Sequence, residues 1–209
     1  MAIQVRHELK YYISEKQHFL LASMLKNLLW IDKNADPETG EYIIRSLYFD
    51  TIFNDALYDK VSGESQRDKY RIRIYNFSDK VVNLECKSKY DNYISKRSVS
   101  INRDIAEQIM AGDFSGLYYS PSGLLRDVAR EINLKLLRPA VIVDYVREAY
   151  VHPAEDIRIT FDKRLRSGLF SHDLFNPELP TIPVIDNQTI LEVKFNGILP
   201  PYIKQVLSL

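Results

Sequence analysis

Seven short segments of this chain interleave charged residues with apolar ones, in most of them at every second position. They are His7-Glu8-Leu9-Lys10, Tyr70-Arg71-Ile72-Arg73-Ile74, Leu84-Glu85-Cys86-Lys87, Tyr93-Ile94-Ser95-Lys96, Asp144-Tyr145-Val146-Arg147, Ile157-Arg158-Ile159-Thr160-Phe161-Asp162 and Leu191-Glu192-Val193-Lys194-Phe195. Successive side chains of a β-strand point to opposite faces, so each segment separates charge from oil across a sheet. One two-sided strand normally turns its polar face to water. Seven strands rich in Arg and Lys, with large apolar partners, constrain the fold further: something must cover the apolar face.

Amphipathic helices are available to cover it, which predicts an α+β fold: a closed antiparallel eight-stranded β-barrel with helices packed outside and a cationic interior. The 209 residues suit one compact domain over 1–209. A hydrophobic fraction of 45% and a charged fraction of 27% are those of a soluble globular protein. With 28 basic and 28 acidic residues the formal net charge is zero, so no general attraction to nucleic acid or anionic membrane follows and any positive field is local. The chain shows no membrane segment or signal peptide, and the expected location is cytoplasmic. The single cysteine, Cys86, shares parity with Leu84 and reads as a small buried hydrophobe.

Along the chain, a strand at about Val5–Ile13 stops at Ser14, which with Gln17 forms a capping-box pattern before a helix carrying Phe19, Leu20, Met24, Leu25, Leu28 and Leu29. Asp36–Gly40 is a turn, Tyr42–Asp50 a strand and Asn54–Ser62 a short helix. Strands at about 68–76, 80–89 and 93–101 form a meander, followed by a helix over Asn102–Ala111 stopped by Gly112. A helix over Ser122–Leu137 precedes strands at Ala140–Val151 and Asp156–Asp162. Residues 171–189, with Pro177, Pro180 and Pro183, form an irregular stretch able to cover a tunnel mouth, and Thr189–Phe195 is the last strand before a helix opened by Pro200 and Pro201.

Several standard sites are missing: no P-loop, no Gly-x-Ser-x-Gly elbow, and four histidines without metal-ligand spacing. Phosphate chemistry remains, because Arg forks and Lys ammoniums are the groups that hold phosphoryl oxygens. So many like charges in an enclosed space need counter-charges or an anionic ligand. Glu8, Glu85, Asp162 and Glu192 share parity with the cations; Glu192 reads first as a metal ligand, the other three first as ion-pair partners.

Taken in order, Glu8-Leu9-Lys10-Tyr11, Ser46-Leu47-Tyr48-Phe49-Asp50-Thr51, Lys69 to Tyr75, Leu84-Glu85-Cys86-Lys87, Arg138-Pro139, Tyr145-Val146-Arg147, Arg158 to Asp162 and Ile190 to Lys194 resemble one family. It is the polyphosphate polymerase domain of the vacuolar transporter chaperone (VTC) type, within the CYTH-like triphosphate tunnel metalloenzymes. The resemblance runs from Arg6 to about Gln205. It implies a tunnel that transfers the terminal phosphoryl group of ATP, or another triphosphate, to inorganic polyphosphate. On that resemblance Lys10, Arg71, Arg73, Lys87, Arg147 and Arg158 are the catalytic cations, and Lys96, Tyr145 and Lys194 further substrate contacts. A divalent metal, Mn2+ ahead of Mg2+, sits on Glu192 with Glu8. Family members usually continue into a Ser-Lys-Tyr segment, and this chain ends at Leu209 without it. Inorganic or nucleoside triphosphate hydrolysis, and non-catalytic binding of polyphosphate, inositol phosphates or nucleotides, are the alternatives. Single-stranded nucleic acid is disfavoured by the zero net charge.

Overall fold

The alternating segments form strands in the computed structural model, which describes residues 6–91 and 93–208. In chain order the strands are β1 (Arg6–Ser14), β2 (Trp30–Ile31), β3 (Glu41–Asp50), β4 (Gln66–Tyr75), β5 (Ser78–Tyr90), β6 (Tyr93–Ile101), β7 (Arg138–Val151), β8 (Arg158–Ser167), β9 (Ile182–Pro183) and β10 (Gln188–Asn196). The helices are α1 (Glu15–Leu25), α2 (Asp55–Val61), α3 (Arg103–Met110), α4 (Gly123–Lys135) and α5 (Pro201–Leu207). The expected start of the first strand at Val5 lies outside the described residues.

The fold is mixed α+β on an antiparallel sheet. Its main path follows the order β1-β10-β8-β7-β3-β4-β5-β6, with β2 on β7 and β9 on β8. The expected strand number is met in this path, and the ladders β1–β10, β10–β8, β3–β4, β4–β5 and β5–β6 are antiparallel. The expected closure is not: among the described residues no ladder joins β1 to β6, and β6 is exposed at nearly every position, as an edge is. Alternation assigns faces to strands but does not say whether the last strand finds the first.

The chain forms two compact units, to both of which β3 and β7 contribute. The first comprises residues 1–43, 145–166 and 183–209. Its core joins Tyr150, Ile159, Phe161, Leu191 and Val193 of the sheet to Leu21, Ala22 and Leu25 of α1 and Ile203 and Val206 of α5. Ser14 and Gln17 make the capping box expected at the α1 N-terminus. The buried face of α1 differs from the expected stripe, however. The helix ends at Leu25, before the expected Leu28 and Leu29; Leu25 and Leu29 are buried, whereas Phe19, Leu20, Met24 and Leu28 are exposed, because Leu21, Ala22 and Leu25, at i, i+1 and i+4, meet the sheet.

A charged network is enclosed in this unit on the side away from the alternating cations. His18 of α1 shares a hydrogen bond of 2.8 Å with Glu148, and Lys163 donates to the same carboxylate at 2.9 Å and also to Glu41. The Tyr150 hydroxyl donates to Glu148 as well. Burial would raise the Glu148 carboxyl, but the hydrogen bonds from His18, Tyr150 and Lys163 outweigh it and hold the group down at about 2.

The second unit comprises residues 44–144 and 167–182. Leu47, Ile72, Ile74, Leu84 and Cys86 form the apolar side of its strands, covered by Ala106 and Ile109 of α3 and by Leu124, Leu125, Val128, Ala129 and Ile132 of α4. Cys86 is fully buried, as its parity required. Asn76 and Phe77, both at positive φ, turn β4 into β5.

Arg45 breaks the apolar pattern. It lies on the core side of β3 at 1% exposure, paired to Asp144 by two hydrogen bonds of 2.9 and 2.8 Å. Its remaining amine donates to the carbonyls of Leu174 and Asn176. Leu174 is buried in this core, with Phe175 and Leu179 packed against it, so these residues of the proline-rich stretch cover apolar sheet rather than a tunnel mouth.

Two outcomes are expected. Arg45→Met lowers unfolding stability by about 3–5 kcal/mol in urea titration, because Asp144 is left charged and unpaired, and a double Arg45→Met/Asp144→Leu variant recovers much of the loss. Because Glu148 has a depressed folded value, its contribution of ~3 kcal/mol is present above its ordinary value near 4.5 and disappears as pH falls toward 2; Glu148→Gln flattens that part of the stability–pH curve measured by urea unfolding.

Candidate phosphate-binding site

Register brings the expected residues together as one charged face in each unit. In the second unit Tyr48, Arg71, Glu85 and Ser98 are successive cross-strand partners, the next row on one side is Ser46, Arg73, Asn83 and Ser100, and the next on the other is Lys69, Lys87 and Lys96. Lys69, Arg71, Arg73, Lys87 and Lys96 therefore share a face, with Glu85 at its centre. Ile72, Ile74, Leu84 and Cys86, at the intervening positions, hold that face in place by filling the core.

Glu85 is 4% exposed and organises the cations around it. Arg71 donates to its Oε2 from Nε at 2.7 Å, Lys96 donates to its Oε1 at 2.6 Å, and Arg73 lies 4.0 Å away. Arg71 also donates to the Tyr48 hydroxyl at 2.9 Å, and Arg73 to Ser46 Oγ at 3.1 Å. Burial would raise the Glu85 carboxyl, but Arg71, Lys96 and Arg73 outweigh it and hold it below the usual range. The expected ion-pair role of Glu85 is thus what the geometry displays. Lys69 stands apart: it makes no ion pair among the described residues, and burial together with Lys60 and Arg67 pushes its ammonium down. Such a group gains from a nearby anion.

In the first unit the rows run Arg158–Lys194–Glu8 and Thr160–Glu192–Lys10 across β8, β10 and β1. Glu192 is 4% exposed; Lys10 approaches its Oε1 at 2.8 Å and Lys194 donates to its Oε2 at 2.6 Å. Glu8 lies 3.3 Å from the same Lys10. Burial would raise the Glu192 carboxyl, yet its hydrogen bond with Glu8 and the two lysines hold it well below the usual range. Arg147 forms a two-pronged pair with Asp162, at 2.6 and 2.7 Å, and its guanidinium lies 5.3 Å from the Tyr145 ring centre. Asp162, too, is an ion-pair partner.

Arg158 is held by residues that periodicity did not single out. It donates to Asp32 and, at 3.0 Å, to the Tyr42 hydroxyl. Asp32 follows β2, its N–H donates to the Ala149 carbonyl at 2.9 Å, and its Oδ1 accepts two hydrogen bonds of 2.9 Å from Asn34. The only hint in the chain is an acidic residue directly after Trp30-Ile31 with Asn two positions on, an Asx-turn pattern. Lys69 was visible by parity beside Arg71, although the family resemblance did not assign it a role.

The expected metal ligands, Glu192 and Glu8, are brought together, but Glu192 already faces a lysine at each oxygen. Among the described residues no group of three or more His, Cys, Asp or Glu could hold a metal. Two carboxylates suit a hard cation that takes its remaining ligands from phosphate and water, as Mg2+ commonly does. A cavity of about 710 Å³ lies on the opposite, apolar side of β1 and β10, lined by Leu9, Tyr11, Leu191 and Val193 among others, and none of the expected site residues borders it.

Comparison with known proteins places the chain. The model of the VTC domain matches residues 5–209, and the chain belongs to the VTC-domain family. A Bacillus halodurans protein named as an adenylate cyclase is similar in fold, with a TM-score of 0.56 and 14% identity over 98% of this chain and 87% of that one. A Hippeastrum protein, named as an adenylyl cyclase and described as having a dominant triphosphatase activity, has a TM-score of 0.55 and 16% identity over 99% of this chain and 85% of that one. No curated protein sequence matches. Among the described residues no helix is long and apolar enough to cross a membrane.

Asp32→Asn tests the hold on Arg158. The amide keeps an acceptor for Asn34 but removes the charge, and stability measured by urea unfolding at neutral pH is expected to fall by about 1–3 kcal/mol.

Proposed function

We propose that this chain is a metal-dependent phosphotransferase that moves the terminal phosphoryl group of ATP onto an inorganic polyphosphate chain, within a VTC-like tunnel domain over residues 1–209. The observation that carries the reading is the face built from Lys69, Arg71, Arg73, Lys87 and Lys96 around the buried carboxylate Glu85. Cations in successive registers, about 7 Å apart along the strands, suit a linear polyanion better than a compact one. Membership of the VTC-domain family supports the same reading.

The chemistry asks little covalent work of the protein. An oxygen of the terminal phosphate of the acceptor attacks the γ-phosphorus, the bond to the β–γ bridging oxygen breaks, and ADP leaves with the electron pair. The acceptor is already ionised, so no general base is needed. Arg71, Arg73, Lys87, Arg147, Arg158 and Lys10 bind and orient phosphoryl oxygens and neutralise their charge, while Lys96, Lys194 and Tyr145 add substrate contacts. Glu192 and Glu8 would hold the divalent cation, Mn2+ or Mg2+, which when bound draws charge from the phosphate oxygens. The Arg147–Asp162 and Arg71–Glu85 pairs set the guanidiniums in place before the ligand arrives.

Purified protein incubated with ATP and Mn2+ is expected to yield ADP and long phosphate chains on a gel, with little free phosphate. Free phosphate without chains would replace the polymerase by a triphosphatase, and binding without either product would leave a binding module. Arg71→Ala is expected to weaken ATP binding by about 10–100-fold while the protein stays folded. Glu192→Gln should reduce Mn2+-dependent turnover more than metal-free ATP binding; equal turnover would remove the metal role of Glu192.

A further inference from the structure

Thr160 lies on β8 between Arg158 and Asp162, at the parity that carries charge, while its neighbours Ile159 and Phe161 are fully buried in the core of the first unit. Its cross-strand partner is Glu192, whose partner in turn is Lys10. Thr160 is 1% exposed, and its Oγ1 has no hydrogen-bond partner among the described residues. A buried hydroxyl left unsatisfied costs free energy that a valine of the same shape would not, and such groups are rare in folded proteins.

The surrounding charges are already committed to one another. Arg158 is bound to Asp32 and Tyr42, Asp162 to Arg147, and Glu192 to Lys10 and Lys194. Glu192 keeps lone pairs beyond those two lysines, yet the Thr160 hydroxyl donates to none of them in this structure. A hydroxyl that donates needs an acceptor oxygen, and Thr160 stands in the rows Thr160–Glu192–Lys10 and Arg158–Lys194–Glu8 proposed above to receive phosphoryl oxygens.

We propose that the Thr160 hydroxyl is a substrate contact of this site, donating to a phosphoryl oxygen of a triphosphate or polyphosphate seated beside Glu192. The assignment rests on the phosphate-binding reading above. It adds a neutral, directional donor to a wall otherwise made of charges, and a charge-assisted O–H···O⁻ bond is a short, strong contact.

The test is calorimetric titration of the full chain with inorganic tripolyphosphate in EDTA, for wild type, Thr160→Val and Thr160→Ser, alongside their thermal midpoints. Thr160→Val is expected to bind about tenfold more weakly, with Thr160→Ser restored to within about twofold of wild type, the size of one hydrogen bond to a charged group. The Val variant should melt at or above the wild-type temperature, since an orphaned hydroxyl has been removed. Unchanged affinity in Thr160→Val, against a wild type that binds, overturns the contact and leaves the phosphate reading intact. A lowered midpoint in Thr160→Val, or no recovery in Thr160→Ser, overturns it by marking the residue as structural. A difference that emerges only when Mn2+ is added assigns the hydroxyl to the cation and overturns it as well. A wild type that binds no tripolyphosphate overturns the phosphate reading and this contact with it.

Discussion

Like charges gathered on a sheet face repel, and buried carboxylates set among them make the arrangement stable without a ligand. Glu85 holds Arg71 and Lys96, Asp162 holds Arg147, Glu192 holds Lys10 and Lys194, and Asp32 holds Arg158. Glu85 and Glu192 remain ionised against the cost of burial because each faces more than one cation. Without these four carboxylates the side chains would splay toward solvent, and the apolar parity of the strands could still pack while the charged parity lost its order.

This arrangement has a consequence for ligand binding. On the proposed phosphate reading, a ligand approaching Arg71 would not have to gather a disordered side chain, because Glu85 and Tyr48 already hold the guanidinium. The entropy of ordering has been met during folding, which is the general route by which pre-set sites gain affinity. The same carboxylates would compete with an incoming anion, so the proposed binding would be an exchange of counter-charges. Lys69, half-buried near Lys60 and Arg67 with no ion pair among the described residues, is the cation that would have least to lose in that exchange.

The sequence exposed one level of this organisation and hid another. Strict alternation assigned Arg71, Arg73 and Glu85 to one face and Ile72, Ile74 and Leu84 to the other, because a strand has no freedom in its period. Ser14 with Gln17, and Asn102 with Gly112, marked helix ends through local chemistry that needs no tertiary context. Asp32 was hidden because it acts from beyond a two-residue strand, where no period exists to reveal its direction. Arg45 was hidden for the opposite reason. It sits at the apolar parity of β3, and only the fold supplies Asp144 and two backbone carbonyls to receive it. The face of α1 was misread because apolar residues nearly encircle the helix, so spacing alone could not choose Leu21 over Leu20. Closure of the sheet was beyond reach of a pattern that describes strands one at a time.

Arg45 contrasts with the more exposed cations of the charged faces, and the contrast bears on the proposed phosphate binding. The Arg45 side chain lies on the core side of β3 and spends its donors on Asp144, Leu174 and Asn176, so it has no nitrogen left over for an external anion. Arg71 and Arg158 are 23% and 33% exposed, and Lys96 and Lys10 are 50% and 55% exposed, while the carboxylates they contact are at most 5% exposed apart from Glu8. A buried acid with an accessible base is an asymmetric ion pair. Its anion is fixed by the sheet, and its cation can turn toward a second anion at the cost of a partly solvated bond rather than a buried one. That asymmetry recurs around Glu85, Glu192 and Asp32, where the proposed ligand would bind; Lys135 and Glu131 on α4 share it, and Arg147 with Asp162 does not.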